Sequence, residues 1–77
     1  MTFLEAINAI EKLVSKLRMK HKDGSEMEPI VAIGKIGHFY GERFDSLLTA
    51  TEQGQISIEE YYMEMVKIIH SYRRRFE

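Results

Sequence analysis

Apolar residues recur at Phe3, Ile7, Ile10, Val14 and Leu17, with His21 next in line. The 4-3-4-3-4 spacing is the a/d seam of a heptad pattern. Leu4, Ala6 and Leu13 widen the stripe. Thr2-Phe3-Leu4-Glu5 reads as a capping box, in which the Thr2 hydroxyl accepts from the Glu5 N–H and the Glu5 carboxylate reaches back. Lys16, Arg18, Lys20 and Lys22 follow where the helix dipole favours cations. The pattern predicts a first helix over about residues 3–21, broken by Asp23-Gly24.

The same spacing returns at Ile58, Tyr62, Met65, Ile69, Tyr72 and Phe76, flanked by Tyr61 and Ile68. Ser57-Ile58-Glu59-Glu60 is a second capping box, Ile56 is placed to staple onto Tyr61, and Arg73-Arg74-Arg75 closes the segment. A further helix is predicted over about 58–75.

Between them lies Ile30–Leu48, IVAIGKIGHFYGERFDSLL, which carries Gly34, Gly37 and Gly41. Read as a strand, the segment gives no clean alternation, because His38 shares a face with Ile30, Ala32, Gly34 and Ile36. Read as a helix, Ile30, Gly34, Gly37, Gly41, Phe44 and Leu48 fall within roughly 40° of one line. Each glycine costs about 0.8–1.0 kcal/mol in a helix interior. The stripe is therefore expected to face inward, where a missing side chain lets a neighbouring backbone come close. With Pro29 in the first turn and Gly54 suited to the C-terminal cap, this helix is predicted over about 28–51. A short β-ribbon over Arg18–Pro29, turning at Lys-Asp-Gly-Ser, is the alternative for the first connection. Its flanks lack β-branched residues, so propensity favours the longer helix.

The string Glu-Gln-Gly-Gln-Ile-Ser-Ile-Glu-Glu-Tyr at 52–61 resembles the turn of SHOCT-type helical hairpins, in which G-x-I-S/T-x-E-E joins two short helices. The likeness covers about ten residues of generic capping chemistry. It implies an αα-hairpin at this turn and carries no function across.

The predicted fold is thus all-α, an antiparallel up-down-up three-helix bundle in a single domain of residues 1–77. A chain of 77 residues buries only about 60% of its unfolded surface, so self-association would supply burial that it lacks alone. Absence of cysteine excludes disulfides and thiolate metal sites. A hydrophobic fraction of 44% with 30% charged residues is that of a soluble folded domain, and the lack of cysteine is compatible with the expected cytoplasmic location. No apolar run is long enough for a membrane span or a signal peptide.

The formal net charge is −1, yet the bundle would sort its charges. One pole collects Lys16, Arg18, Lys20, Lys22, Lys67 and Arg73–Arg75 against Asp23, Glu26, Glu28 and Glu77. The other collects Glu5, Glu11, Glu42, Asp45, Glu52, Glu59, Glu60 and Glu64 against Lys12 and Arg43. Acids at helix starts and bases at helix ends complement the macrodipoles whatever the function. A basic pole also offers Lys20, Lys22, Arg73, Arg74 and Arg75 to an anion or a nucleic acid, with Tyr72 and Phe76 to stack.

Catalytic signatures are missing. His21, His38 and His70 match no zinc spacing, and His38 is not followed by a phosphotransfer pattern. Adjacent carboxylates such as Glu59 and Glu60 lie on exposed helix turns. No phosphate loop precedes the glycines, since that needs a strand before and a helix after. No cofactor or metal is expected. Phe39 is the residue that fits the bundle least. It is placed about 180° from the glycine stripe, with Ala32 and Ser46 one heptad away on either side and Lys35 and Arg43 flanking. A large ring there points to a second packing seam, for a homodimer or a heterologous protein. The expected function is non-enzymatic, stoichiometric binding as a regulator, inhibitor or adaptor, of the size and character common among accessory proteins of phages and mobile elements. Anion or nucleic-acid binding at the basic pole is the alternative.

Overall fold

A computed structural model describes residues 1–76. The described residues form an all-helical fold with four helices: α1 (Phe3–Ser15), α2 (Pro29–Tyr40), α3 (Glu42–Glu52) and α4 (Ile58–Phe76). Two of the predicted helices are shorter or divided, and each departure has a local cause.

The α1 capping box forms as expected: Thr2 N donates to Glu5 Oε1 at 2.8 Å and Glu5 N donates to Thr2 Oγ1 at 3.1 Å. The helix stops at Ser15 and does not reach residue 21. Its last turn tightens through Lys16 N to Leu13 O, Leu17 N to Val14 O and Arg18 N to Ser15 O, which are i to i−3 bonds. Arg18 then enters the left-handed region at φ 51°. The chain turns back in the hairpin that propensity disfavoured. Met27 N donates to Met19 O at 2.8 Å, His21 N donates to Ser25 O at 2.9 Å, and Lys20 pairs with Glu26 in an isolated antiparallel bridge. Asp23 Oδ1 accepts from Ser25 N and Ser25 Oγ, which holds the Asp23 carboxyl below its ordinary value. Strand propensity spans only about 1 kcal/mol, and Met19 and Met27 both pack against the core. Burial of two methionines outweighs it.

The predicted middle helix is divided at Gly41, whose φ of 56° and ψ of −118° belong to neither α2 nor α3. The break brings Phe44 of α3 back beneath α2. A Cβ on Gly37 would stand 2.9 Å from the Phe44 ring, so this glycine is where a close approach is made. The rest of the stripe does not behave as predicted. Ile30 is 68% exposed and Gly34 faces open space, whereas Ala32 is 1% exposed and sits with Ile36 in the core. The buried arc of α2 is rotated by about 100° from the glycine line.

The core consists of Ile10 and Val14 of α1, Ala32 and Ile36 of α2, and Tyr61, Met65, Ile68, Ile69 and Tyr72 of α4. Phe3 stacks on Tyr61 at 5.7 Å, and the Met1 ammonium meets Glu59 at 3.1 Å. At the other end, Leu13 and Leu17 share a surface depression with Ile69 and Arg73. Helices α1 and α4 therefore lie side by side in the same direction, and their C-terminal ends share one pole. Pro29 borders a depression with Ser15 and Met19, while Phe39 packs on Tyr72 and Phe76. Both ends of α2 thus lie near that pole, which is not the course of the middle helix in a regular three-helix bundle. No described helix is long and apolar enough to cross a membrane.

Candidate functional site: an aromatic and cationic pole

The C-terminal end of α4 carries Tyr72 on the core side and Phe76 on the solvent side, one turn apart. Their rings lie 4.5 Å apart. Phe39 joins them edge-on, at 5.9 Å from Tyr72 and 5.2 Å from Phe76, and meets its own neighbour Tyr40 at 5.1 Å. Such edge-to-face pairs contribute about 0.5–1.5 kcal/mol beyond their burial. The cluster is only half covered. Phe39 remains 46% exposed and Phe76 58% exposed. The Arg75 guanidinium stands 5.7 Å from the centre of the Phe39 ring, and that of Arg43 stands 5.9 Å from Tyr40.

Beside the rings opens a cleft of about 340 Å³. Its apolar walls are Leu17, Met19, Tyr72 and Phe76, and its cationic rim is Arg18, Lys20, Lys35 and Arg73. Three segments build it: the hairpin brings Leu17–Lys20, α2 brings Lys35, and α4 brings Tyr72, Arg73 and Phe76. Among the described residues, ion pairs join Met1 to Glu59 and Lys67 to Glu64, and neither involves Arg18, Lys20 or Lys35. Glu26, opposite Lys20 in the hairpin, lines the neighbouring depression with Met27 and Pro29, which Arg18 and Met19 of the cleft also border. Glu77 lies outside the described residues.

Burial, and then the nearby Tyr40 phenol, push the Tyr72 hydroxyl above its ordinary value. Tyr40 Oη is itself buried and has no hydrogen-bond partner among the described residues. A buried hydroxyl without a partner retains its desolvation cost of about 1–3 kcal/mol. Tyr40→Phe should therefore leave thermal stability unchanged or raise it by about 1 kcal/mol. A loss of that size in a melting experiment would show that the hydroxyl is bonded.

Comparison with protein-family models, curated proteins and solved structures finds no match.

The two sets of site residues expected from sequence are partly merged here. Phe39, Lys35 and Arg43 come together with Lys20, Arg73 and Arg75 at a single pole. The remaining four do not join them. Ala32 is in the core, and Ser46 lies on α3 beyond the Gly41 break, where the heptad relation to Phe39 no longer holds. Lys22 is in the exposed turn of the hairpin. Arg74 borders a separate depression on α4 with Lys67 and His70. Phe39 also sits at the edge of the buried arc and not opposite it, because the arc is rotated. Tyr72 and Phe76 pack on Phe39. Leu17, Arg18 and Met19 reach the cleft because the chain leaves α1 early, which a continuous first helix would not allow. The Lys-Asp-Gly-Ser turn was the signal that places them at the cleft.

Proposed function

We propose that this protein is a non-enzymatic interaction module that acts by stoichiometric binding of a protein partner, as a regulator, inhibitor or adaptor. The observation that carries this reading is the half-exposed cluster of Phe39, Tyr72 and Phe76, set against an apolar cleft and ringed by cations. Aromatic and arginine side chains around a cleft are the composition of an interface hot spot. Removal of a hot-spot anchor costs about 2 kcal/mol or more, a loss of at least about 30-fold in affinity.

Phe39→Asp should abolish partner capture, or self-association if the partner is a second copy. The change places a carboxylate at a half-exposed position, so the helical circular dichroism spectrum should be retained. Affinity capture from host extract and sedimentation velocity check the two cases. Unaltered behaviour in both would remove Phe39 from the contact and defeat the proposal.

Binding of an anion or nucleic acid is the second reading, supported by Arg18, Lys20, Lys35 and Arg73 on one rim. The rings weigh against it. Each has another ring or a guanidinium within 6 Å, which occupies ring surface that a stacking base would need. The net charge of −1 also lacks the basic excess of a duplex reader.

A further inference from the structure

We propose that the occupant of the cleft is an acidic apolar segment of the partner: one or two large aliphatic or aromatic side chains flanked by carboxylates. The inference rests on the interaction reading above and adds the chemistry of what is bound.

Volume and polarity define the ligand together. A cleft of about 340 Å³ is at the small end of the range of about 300–1,000 Å³ for ligand pockets, which suits an anchor side chain more than an extended polymer. Leu17, Met19, Tyr72 and Phe76 supply an apolar floor, so the inserted group is apolar. Arg18, Lys20 and Lys35 surround that floor, and neither ion pair among the described residues engages them. An incoming segment with carboxylates beside its anchor would complete these charges, steering association and rejecting basic competitors.

The backbone at Arg18 is a second, independent observation. Arg18 holds a left-handed conformation, at φ 51°, just after the end of α1. Glycine is the usual residue there, and a long side chain is an uncommon choice. The position is on the cleft rim. A strained residue kept at a rim, where glycine would relax the chain, is explained if its guanidinium is used.

The test is to pan a random peptide library displayed on phage against the immobilised 77-residue chain, then repeat it with Lys20→Glu/Lys35→Glu. Enriched peptides should carry Asp or Glu next to Leu, Phe, Trp or Met. Their affinity for the double variant should fall at least tenfold by fluorescence anisotropy, and should weaken as salt rises. Circular dichroism checks that the variant folds. A pool with no enriched sequence, enrichment of neutral or basic peptides, or equal binding to the double variant would overturn the inference. Displacement of the enriched peptides by a single-stranded oligonucleotide at low salt would reassign the cleft to nucleic acid. Concentration-dependent sedimentation lost in the double variant, without peptide enrichment, would reassign it to a second copy. If Phe39→Asp abolishes partner capture while Lys20→Glu/Lys35→Glu leaves it intact, the interaction reading stands and the acidic partner does not.

Discussion

Gly41→Ala is expected to lower the unfolding free energy by about 1–3 kcal/mol, while Gly34→Ala is expected to raise it by about 0.5–1 kcal/mol. The opposite signs come from backbone alone. Gly41 adopts φ 56° and ψ −118°, and a Cβ there is strained although nothing lies within 4 Å of it. Gly34 lies within α2, and a Cβ on it would likewise meet open space. Alanine at that position restricts the unfolded chain and favours the helix at no steric cost. Were α2 and α3 one continuous helix, both changes would stabilise by similar amounts. Urea unfolding of the two variants therefore distinguishes a broken helix from an unbroken one. Stabilisation by Gly41→Ala would contradict the break.

Ile68→Ala is expected to cost about 2–5 kcal/mol, the largest effect of any single truncation proposed for this protein. Ile68 is 0% exposed, among the α4 residues of the core cluster. A domain of this length has a total stability of about 4–12 kcal/mol at typical values per residue, so the loss is a large part of the whole. The matched control is Ile30→Ala. Ile30 belongs to the glycine line but is 68% exposed, and its truncation should stay within about 0.5 kcal/mol. Denaturant midpoints with unchanged slopes would report both values. A large loss at Ile30 would place the glycine line inside after all.

Much of the architecture was legible because two segments carry strong, redundant signals. In α4 the capping serine, the apolar repeat and the terminal arginines all agree, and Glu60 N does donate to Ser57 Oγ at 3.0 Å. The start of α1 is equally consistent. The glycine-rich segment was legible as helical and illegible in detail. Periodicity assumes a straight helix, and a single residue at positive φ resets the phase for everything after it. Ser46 was assigned to the Phe39 face by a seven-residue relation that Gly41 interrupts. Ala32 does share a face with Phe39 by the same relation, but it is buried, which its small side chain does not signal.

The candidate site was legible residue by residue and not as a site. Phe39 stood out because a ring interrupts a polar face, and the arginines stood out as a run. Neither signal indicates that the two meet. Their meeting depends on the shared direction of α1 and α4, the hairpin that carries Arg18 to Lys20, and α2 lying across the same pole.

By itself the sequence determined that the chain is helical, which faces of α1 and α4 are buried, and that cations gather at their C-terminal ends. These follow from local periodicity, capping and dipoles, which need no distant partner. Tertiary structure decided where the first helix ends, which face of α2 is buried and that its glycine helix is broken. Those outcomes turn on competing local states that differ by about 1 kcal/mol, and burial of Met19, Met27 and Phe44 against the core exceeds that difference.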